Sequence, residues 1–299
     1  MTAAVPAQPS RRRAWLLATR PATLTASVTP VLVGTAAAGR GHFRLAPFAA
    51  ALIAALLIQI GTNLANDYFD FRKGADTAER LGPMRVTQSG LLAPETVRTA
   101  TALVFGLAAL VGLYLVSVGG LPILLIGLAA IAAGVLYTGG PWPLGYHGLG
   151  DLAVFLCFGM MAVAGTTYLY TAELTGRTLA AAVPVGMTVT AILVVNNLRD
   201  IDTDRAARKY TLAVLIGRRA TQVEYILLLA GAYLVPLALR LTGATGNWFW
   251  LPWLTLPLAA PLVRTICTQR GRALNPALKG TARLHLLIGA LFAAALLLG

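Results

Sequence analysis

Charge is what this 299-residue chain has least of: charged residues make up 12% of it, and only 11 are acidic. Soluble domains carry about 25% charged residues. With 57% of its residues hydrophobic and a mean hydropathy of +0.72, the chain cannot keep its surface in water. Cysteine is nearly missing too. Cys157 and Cys267 have neither metal-type spacing nor a secreted-protein context, which excludes a disulfide framework or a thiolate metal site and leaves both as packing residues. The histidines, His42, His147 and His285, lie on different segments and form no imidazole site. A phosphate-cradling or dinucleotide loop is missing as well, because Gly145, Gly148 and Gly150 belong to an ordinary turn-rich stretch. The first apolar run has no small-residue cleavage site, so a cleaved signal is not expected.

What the chain does have is long apolar runs, at 23–38, 47–64, 101–118, 121–137, 152–170, 179–198, 223–239, 248–266 and 284–298. Each approaches the roughly 20 residues that cross a bilayer as helix. None alternates with the period of a barrel strand, so helix is the only spanning element open to them. The expectation is an all-α polytopic membrane protein with nine transmembrane helices around a central cavity. A short N-terminal segment (1–20) precedes one membrane domain (21–299), whose two pseudo-repeat halves are about 21–140 and 150–299.

Cations set the orientation, since cytoplasmic loops retain Lys and Arg. With the N-terminus inside, the inner segments hold 20 of the 24 and the outer ones only Arg40, Arg44, Arg177 and Arg240. This predicts a cytoplasmic N-terminus in the cell's inner membrane. Trp248, Trp250 and Trp253 then fall at the outer interface. The same topology accounts for most of the +13 net charge. A nucleic-acid partner is excluded, because no soluble basic surface with base-reading or stacking residues is present. Arg11, Arg12 and Arg13 read as a membrane-flanking anchor.

Seven of the 11 carboxylates fall in two stretches: Asp67, Asp70, Asp76 and Glu79, then Asp200, Asp202 and Asp204. Each ends a long apolar run, has Asn upstream (Asn63 and Asn66; Asn196 and Asn197) and runs into Lys or Arg. On a helix, residues three or four apart share a face, so Asn63, Asn66, Asp67 and Asp70 can line one helix end and Asn196, Asp200 and Asp204 another. Acidic residues at helix ends often do no more than pair with neighbouring cations. Two such clusters, four crossings apart and on the same predicted side, point instead to a shared ligand. Crowded carboxylates near a bilayer need a cation, and hard oxygens suit Mg²⁺, which bridges carboxylates to substrate phosphates.

At these residues the chain resembles the UbiA superfamily of intramembrane prenyltransferases. The resemblance is carried by Asn66-Asp67-Tyr68-Phe69-Asp70 through Lys73 and Asp76, by Arg80-Leu81-Gly82-Pro83-Met84-Arg85, by Tyr137-Thr138-Gly139-Gly140-Pro141, by Asn196-Asn197-Leu198-Arg199-Asp200 through Asp204, and by Arg20-Pro21-Ala22-Thr23-Leu24 at the first helix. Within the superfamily these motifs are most similar to the branch acting on 1,4-dihydroxy-2-naphthoate. Asp202 is an extra carboxylate in the pattern.

The resemblance implies Mg²⁺ held by Asp67, Asp70, Asp200 and Asp204, with Asn63, Asn66 and Asn196 in support, binding the diphosphate of a polyprenyl donor and neutralising it as the allylic C–O bond ionises. Lys73, Arg80, Arg85, Arg199 and Lys209 are candidate phosphate clamps, although a positive-inside loop charge explains each equally well. Asp76 belongs to the same substrate-binding set. Tyr68 or Tyr137 could shield the allylic cation through its ring face, or simply pack. The acceptor implied is dihydroxynaphthoate, losing its carboxyl group to give demethylmenaquinone. Asp151 reads as a helix-start residue. Two alternatives stay open: a related enzyme acting on 4-hydroxybenzoate or another phenol, and a cation-coupled transporter, whose ligands would lie near the bilayer midplane. Oligomeric state is not legible.

Overall fold

The computed structural model describes residues 10–75 and 80–299. Among them the backbone is helical, with one isolated bridge between His147 and Tyr210 and no strand. Helix follows from the runs themselves, because in lipid a backbone N–H finds its partner only within its own helix or in a closed barrel. The elements are α1 (Arg11–Thr19), α2 (Thr25–Ala37), α3 (Leu45–Arg72), α4 (Pro94–Leu136), α5 (Gly150–Val154), a π-helical stretch (Phe155–Met161), α6 (Ala162–Thr171), α7 (Gly176–Ala206), α8 (Leu212–Leu241), α9 (Leu256–Thr268) and α10 (Asn275–Leu298). The chain is a multi-pass membrane protein.

Helix length and composition do not by themselves fix the count of nine spans. Six helices are long and apolar enough to cross a bilayer, or seven when the pair Arg11–Thr23 and Thr25–Ala37, bent by 46°, counts as one span. Residues 101–118 and 121–137 lie on the two arms of the 43-residue α4, and 248–266 contributes a short 3₁₀ helix (Leu251–Thr255) that runs directly into the 13-residue α9. A straight 43-residue helix would run about 65 Å, roughly twice the bilayer core. Gly120 breaks it, at φ +67° and ψ −155°, a conformation open mainly to glycine. The two arms then fold together: a Cβ at Gly61 would stand 2.7 Å from the Phe105 ring, and one at Gly134 would stand 3.4 Å from it. Residues so far apart along α4 meet only because the chain turns back at Gly120.

The acid-bearing α7 is the central helix. In its apolar window 72% of residues are buried within the protein, against 11% for α4, so α7 is walled by helices and α4 by lipid. Its start is capped by the Thr175 hydroxyl, which accepts the N–H of Thr178 at 3.2 Å. The π stretch meets α7 backbone to backbone: a Cβ at Gly159 would stand 2.4 Å from the Gly186 Cα, so neither position tolerates a side chain. Buried His285 of α10 shares a 2.7 Å hydrogen bond with Thr188 of α7, a polar tie inside the bundle.

Candidate active site

Both acidic clusters end up on one cavity. It measures about 190 Å³ and is lined from α3 by Asn63, Asn66 and Asp70, and from α7 by Asn196, Asn197, Asp200 and Asp204. Arg20, Arg80, Arg85 and Lys209 supply cations to its wall. Thr62, Tyr137, Val154 and Phe158 line both this cavity and a second one of about 110 Å³, which is almost wholly apolar. That one shares Ala55, Ile58, Ala130, Cys157, Met161 and Ala162 with a third, of about 340 Å³, between α3, both arms of α4 and α6. The sequence of cavities is a polar chamber leading into an apolar channel. Small residues hold the channel open, among them Ala51, Ala54, Ala108, Gly112, Gly127 and Gly165. Cys157 is therefore a channel wall rather than plain packing.

On α3, Asp70 is fixed at both oxygens. Arg85 Nη2 donates to Oδ2 at 2.7 Å and the Tyr146 hydroxyl donates to Oδ1 at 2.8 Å. Asn66 Oδ1 accepts the Thr138 hydroxyl at 2.8 Å. Asn63 turns the other way, donating to Thr19 O and Thr23 Oγ1, each at 3.0 Å, so it ties the α1–α2 corner to α3 while still bordering the cavity.

Asp67 departs from the expected metal role. It is buried and does not line the cavity; its Oδ1 accepts the Thr87 N–H at 3.0 Å and its Oδ2 the Val86 N–H at 3.1 Å. In this arrangement it anchors the strap that carries Arg85. Tyr68 departs as well. It packs against the cluster of Ala14, Ala18, Leu64, Val86, Leu92 and Val97 and stands edge-on to Phe69, outside the cavity lining. Asp76 lies outside the described residues.

On α7, Asp200 and Arg199 form a pair on adjacent residues, with Nε to Oδ1 at 2.8 Å and Nη2 to Oδ2 at 2.6 Å. Arg199 also donates to Asn196 Oδ1 at 2.8 Å and to Asn275 Oδ1 at 3.0 Å, and its side chain is wholly buried. Four of its five N–H donors are thus taken within the protein and it does not line the cavity, in contrast to the phosphate-clamp expectation. Its guanidinium lies against Gly82, where a Cβ would stand 2.5 Å from Nη2. Only glycine fits there, and the segment carrying Arg80 is pressed onto α7. Asp204 is held more loosely. Lys209 Nζ is 3.9 Å from its Oδ1, and its Oδ2 is buried without a hydrogen-bond partner. Burial lowers the Lys209 ammonium, but Asp70 and Asp204 together outweigh it, so its proton is held above the usual lysine value. Asp202 is exposed, which separates it from its two neighbours in the pattern.

The loop between α4 and α5 closes the chamber. Lys73, exposed at the end of α3, donates to Thr138 O at 2.7 Å rather than lining the cavity. Tyr146 has Lys73 Nζ 5.0 Å and Lys209 Nζ 5.4 Å from its ring centroid. The sequence motifs pass over Tyr146, and only its turn-rich Leu144-Gly145-Tyr146 setting marks it. Asp151 lies in the first turn of α5, buried and outside the cavity lining; no side chain caps that helix, and Asp151 Oδ2 has no hydrogen-bond partner.

The donor set fits a phosphate-bridged divalent ion. Asp70, Asp200 and Asp204 are hard-oxygen donors on one wall set, and Asp204 Oδ2 is a buried acceptor with nothing donating to it. No group of three or more His, Cys, Asp or Glu side chains converges among the described residues. That matches Mg²⁺ practice, in which one or two carboxylates and substrate phosphates share the ion in place of an all-protein cage.

The sequence profile described as the UbiA prenyltransferase family matches residues 27–287. The 1,4-dihydroxy-2-naphthoate octaprenyltransferase of Escherichia coli is 37% identical over 293 residues, covering 95% of each chain. The protein of that name from Mycobacterium tuberculosis is 40% identical over 279 residues, covering 93% of this chain and 94% of its own. A solved UbiA homolog from Archaeoglobus fulgidus, bound to DMAPP and Mg²⁺, superposes with a TM-score of 0.70 at 14% identity, over 94% of this chain and 98% of its own.

Proposed function

Because this chain belongs to the UbiA prenyltransferase family, we propose that it transfers a polyprenyl group from polyprenyl diphosphate to 1,4-dihydroxy-2-naphthoate, with Mg²⁺, giving the quinol form of demethylmenaquinone, the precursor of menaquinone. The observation that carries the reading is the join of a chamber walled by Asp70, Asp200 and Asp204 to an apolar channel through Tyr137 and Phe158. A donor with an anionic head and an isoprenoid tail has that shape and polarity. The relatives of this name supply the acceptor.

Asp70, Asp200 and Asp204 would hold the metal, with Asn66 and Asn196 bordering it. Mg²⁺, when bound, supplies charge neutralisation to the diphosphate as it leaves. Arg80, Arg85 and Lys209 lie on the same wall and take the phosphate oxygens that the carboxylates cannot. Tyr137 stands at the junction, where the allylic C–O bond breaks, and offers its ring to the developing cation. Channel walls of Ala and Gly keep water from that cation. The new C–C bond forms at the acceptor carbon that bears the carboxylate, which leaves as CO₂, while diphosphate departs with the electrons of the broken C–O bond. We further propose that the chamber faces the cytoplasm, as the 20-to-4 split of Lys and Arg favours, and that the halves at about 21–140 and 150–299 are repeats, each ending a helix with one cluster.

The test is Mg²⁺-dependent diphosphate release and lipid-product formation by purified protein, given a long-chain prenyl diphosphate with dihydroxynaphthoate or 4-hydroxybenzoate. Prenylated naphthoquinol from the first acceptor alone is the expected result. Product from hydroxybenzoate alone would overturn the acceptor assignment, and no Mg²⁺-dependent turnover with either would overturn the reaction.

A further inference from the structure

Tyr146 sits where three parts of the site meet, and no motif assigns it a role. On the reading of the chamber as a Mg²⁺–diphosphate centre, on which this inference rests, we propose that Tyr146 is a positioning residue that sets Asp70 for the metal and Lys209 for the diphosphate.

The hydroxyl and the ring do separate things. The hydroxyl donates to Asp70 Oδ1 at 2.8 Å while Arg85 donates to Oδ2 at 2.7 Å, so the carboxylate plane is pinned at both ends. Each carboxylate oxygen has a second lone-pair site, so a cation can be bound without breaking either hydrogen bond. Partners of this kind, one bond behind a metal ligand, orient it and raise its affinity for the ion.

The ring holds cations from two helices. Lys73 follows the last residue of α3 and Lys209 comes just after α7, yet both ammonium groups lie against the same aromatic, at 5.0 and 5.4 Å. That is cation–π range, and it gathers two like charges that would otherwise separate. The ring is itself fixed at its backbone. Tyr146 O accepts the N–H of Tyr210, the residue after Lys209, at 3.1 Å. At the other end of the loop, Thr138 O accepts Lys73 Nζ. Gly145 lets the chain pass this close, because a Cβ there would stand 3.1 Å from the Tyr137 ring.

The test uses full-length protein in detergent. Mg²⁺ is titrated in the presence of a prenyl thiolodiphosphate, a slow-reacting donor analogue, and the rise in unfolding temperature is followed for wild type, Y146F and Y146L. Y146F keeps the ring and loses the hydroxyl; it is expected to need about tenfold more Mg²⁺ for half-maximal stabilisation, with analogue affinity at saturating Mg²⁺ within about twofold of wild type. Y146L is expected to show the same Mg²⁺ shift and, in addition, about tenfold weaker analogue binding at saturating Mg²⁺, since Lys209 loses its platform. Wild-type titrations from both variants would overturn the inference, as would an equal fall in ligand-free unfolding temperature with unchanged ligand responses, which marks a brace and nothing more. If wild-type protein shows no Mg²⁺-dependent stabilisation at all, the metal–diphosphate reading fails first and takes this inference with it.

Discussion

The end of α3 and the end of α7 carry similar words, Asn then Asp then Lys or Arg, and use them in opposite ways. On α3 the carboxylates reach outward: Asp67 to two backbone N–H groups of the strap, and Asp70 to Arg85 and Tyr146, all at least 15 residues away. On α7, Asp200 is satisfied by the residue beside it, and Asp204 keeps a buried oxygen with no donor. The first cluster uses its oxygens to build the chamber; the second keeps one buried oxygen without a donor inside it. A motif therefore fixes which atoms reach a site, while the loops that return to it decide which of those atoms stay available.

The largest expected effect belongs to the second cluster. Asp204→Asn should lower turnover by about 100- to 1,000-fold, the scale of losing one charge-stabilising group, while unfolding in mixed micelles stays within about 1 kcal/mol of wild type because no hydrogen bond is lost. The contrast would break if that variant unfolded instead of failing to turn over. Asp67→Ala tests the opposite side: two buried N–H groups lose their acceptor, and stability should fall by about 3 kcal/mol. If Asp67→Ala left stability intact and removed only Mg²⁺ dependence, Asp67 would be a ligand after all.

Gly82→Ala sharpens the comparison where the two regions touch. Its methyl would enter the Arg199 guanidinium, so a loss of about 1–3 kcal/mol is expected from overpacking, measured by the same unfolding. The smallest effect concerns pH. With the Lys209 proton held above its usual value, its contribution is complete below about pH 10.4 and is lost only as pH climbs through the higher folded value. Turnover should show no alkaline limb from this residue below about pH 10; K209Q, compared with wild type across pH 7–10, should change the height of the profile and not its shape.

Much of this was legible in the residues. Continuous apolar runs dictated helices, the spacing of Asp200 and Asp204 put them on one helix face, and the same-side ends of the two acidic helices pointed to a site shared with Asp70; all three line one cavity. What spacing could not reveal was the destination of each oxygen. Asn66, Asp67 and Asp70 lie within about one turn, and a face drawn from a 3.6-residue period is too broad to separate the residue that lines a cavity from the one that anchors a strap. Arg199 misled for a related reason. An arginine beside phosphate-site aspartates reads as a clamp, but its partners Asn275 and Gly82 arrive from distant segments. The span count was harder to read, because Gly120 joins two runs into one continuous element that folds into two arms, and the run at 248–266 divides into a 3₁₀ helix and the 13-residue α9. Tyr146 had no local signal, because its importance lies in contacts to residues 63 and more positions away.

The two bonds from Asp67 to Val86 and Thr87 have one more consequence, which concerns timing. Fixing a residue's backbone costs about 1–2 kcal/mol of conformational entropy, and a wall that stayed loose until substrate arrived would draw that cost from the binding step. Here the cost is met while the chain folds, by an aspartate outside the cavity lining. Arg85, one residue before Val86, is held at Asp70 by bonds internal to the protein, so the strength of donor binding goes to holding the diphosphate and not to organising the protein around it.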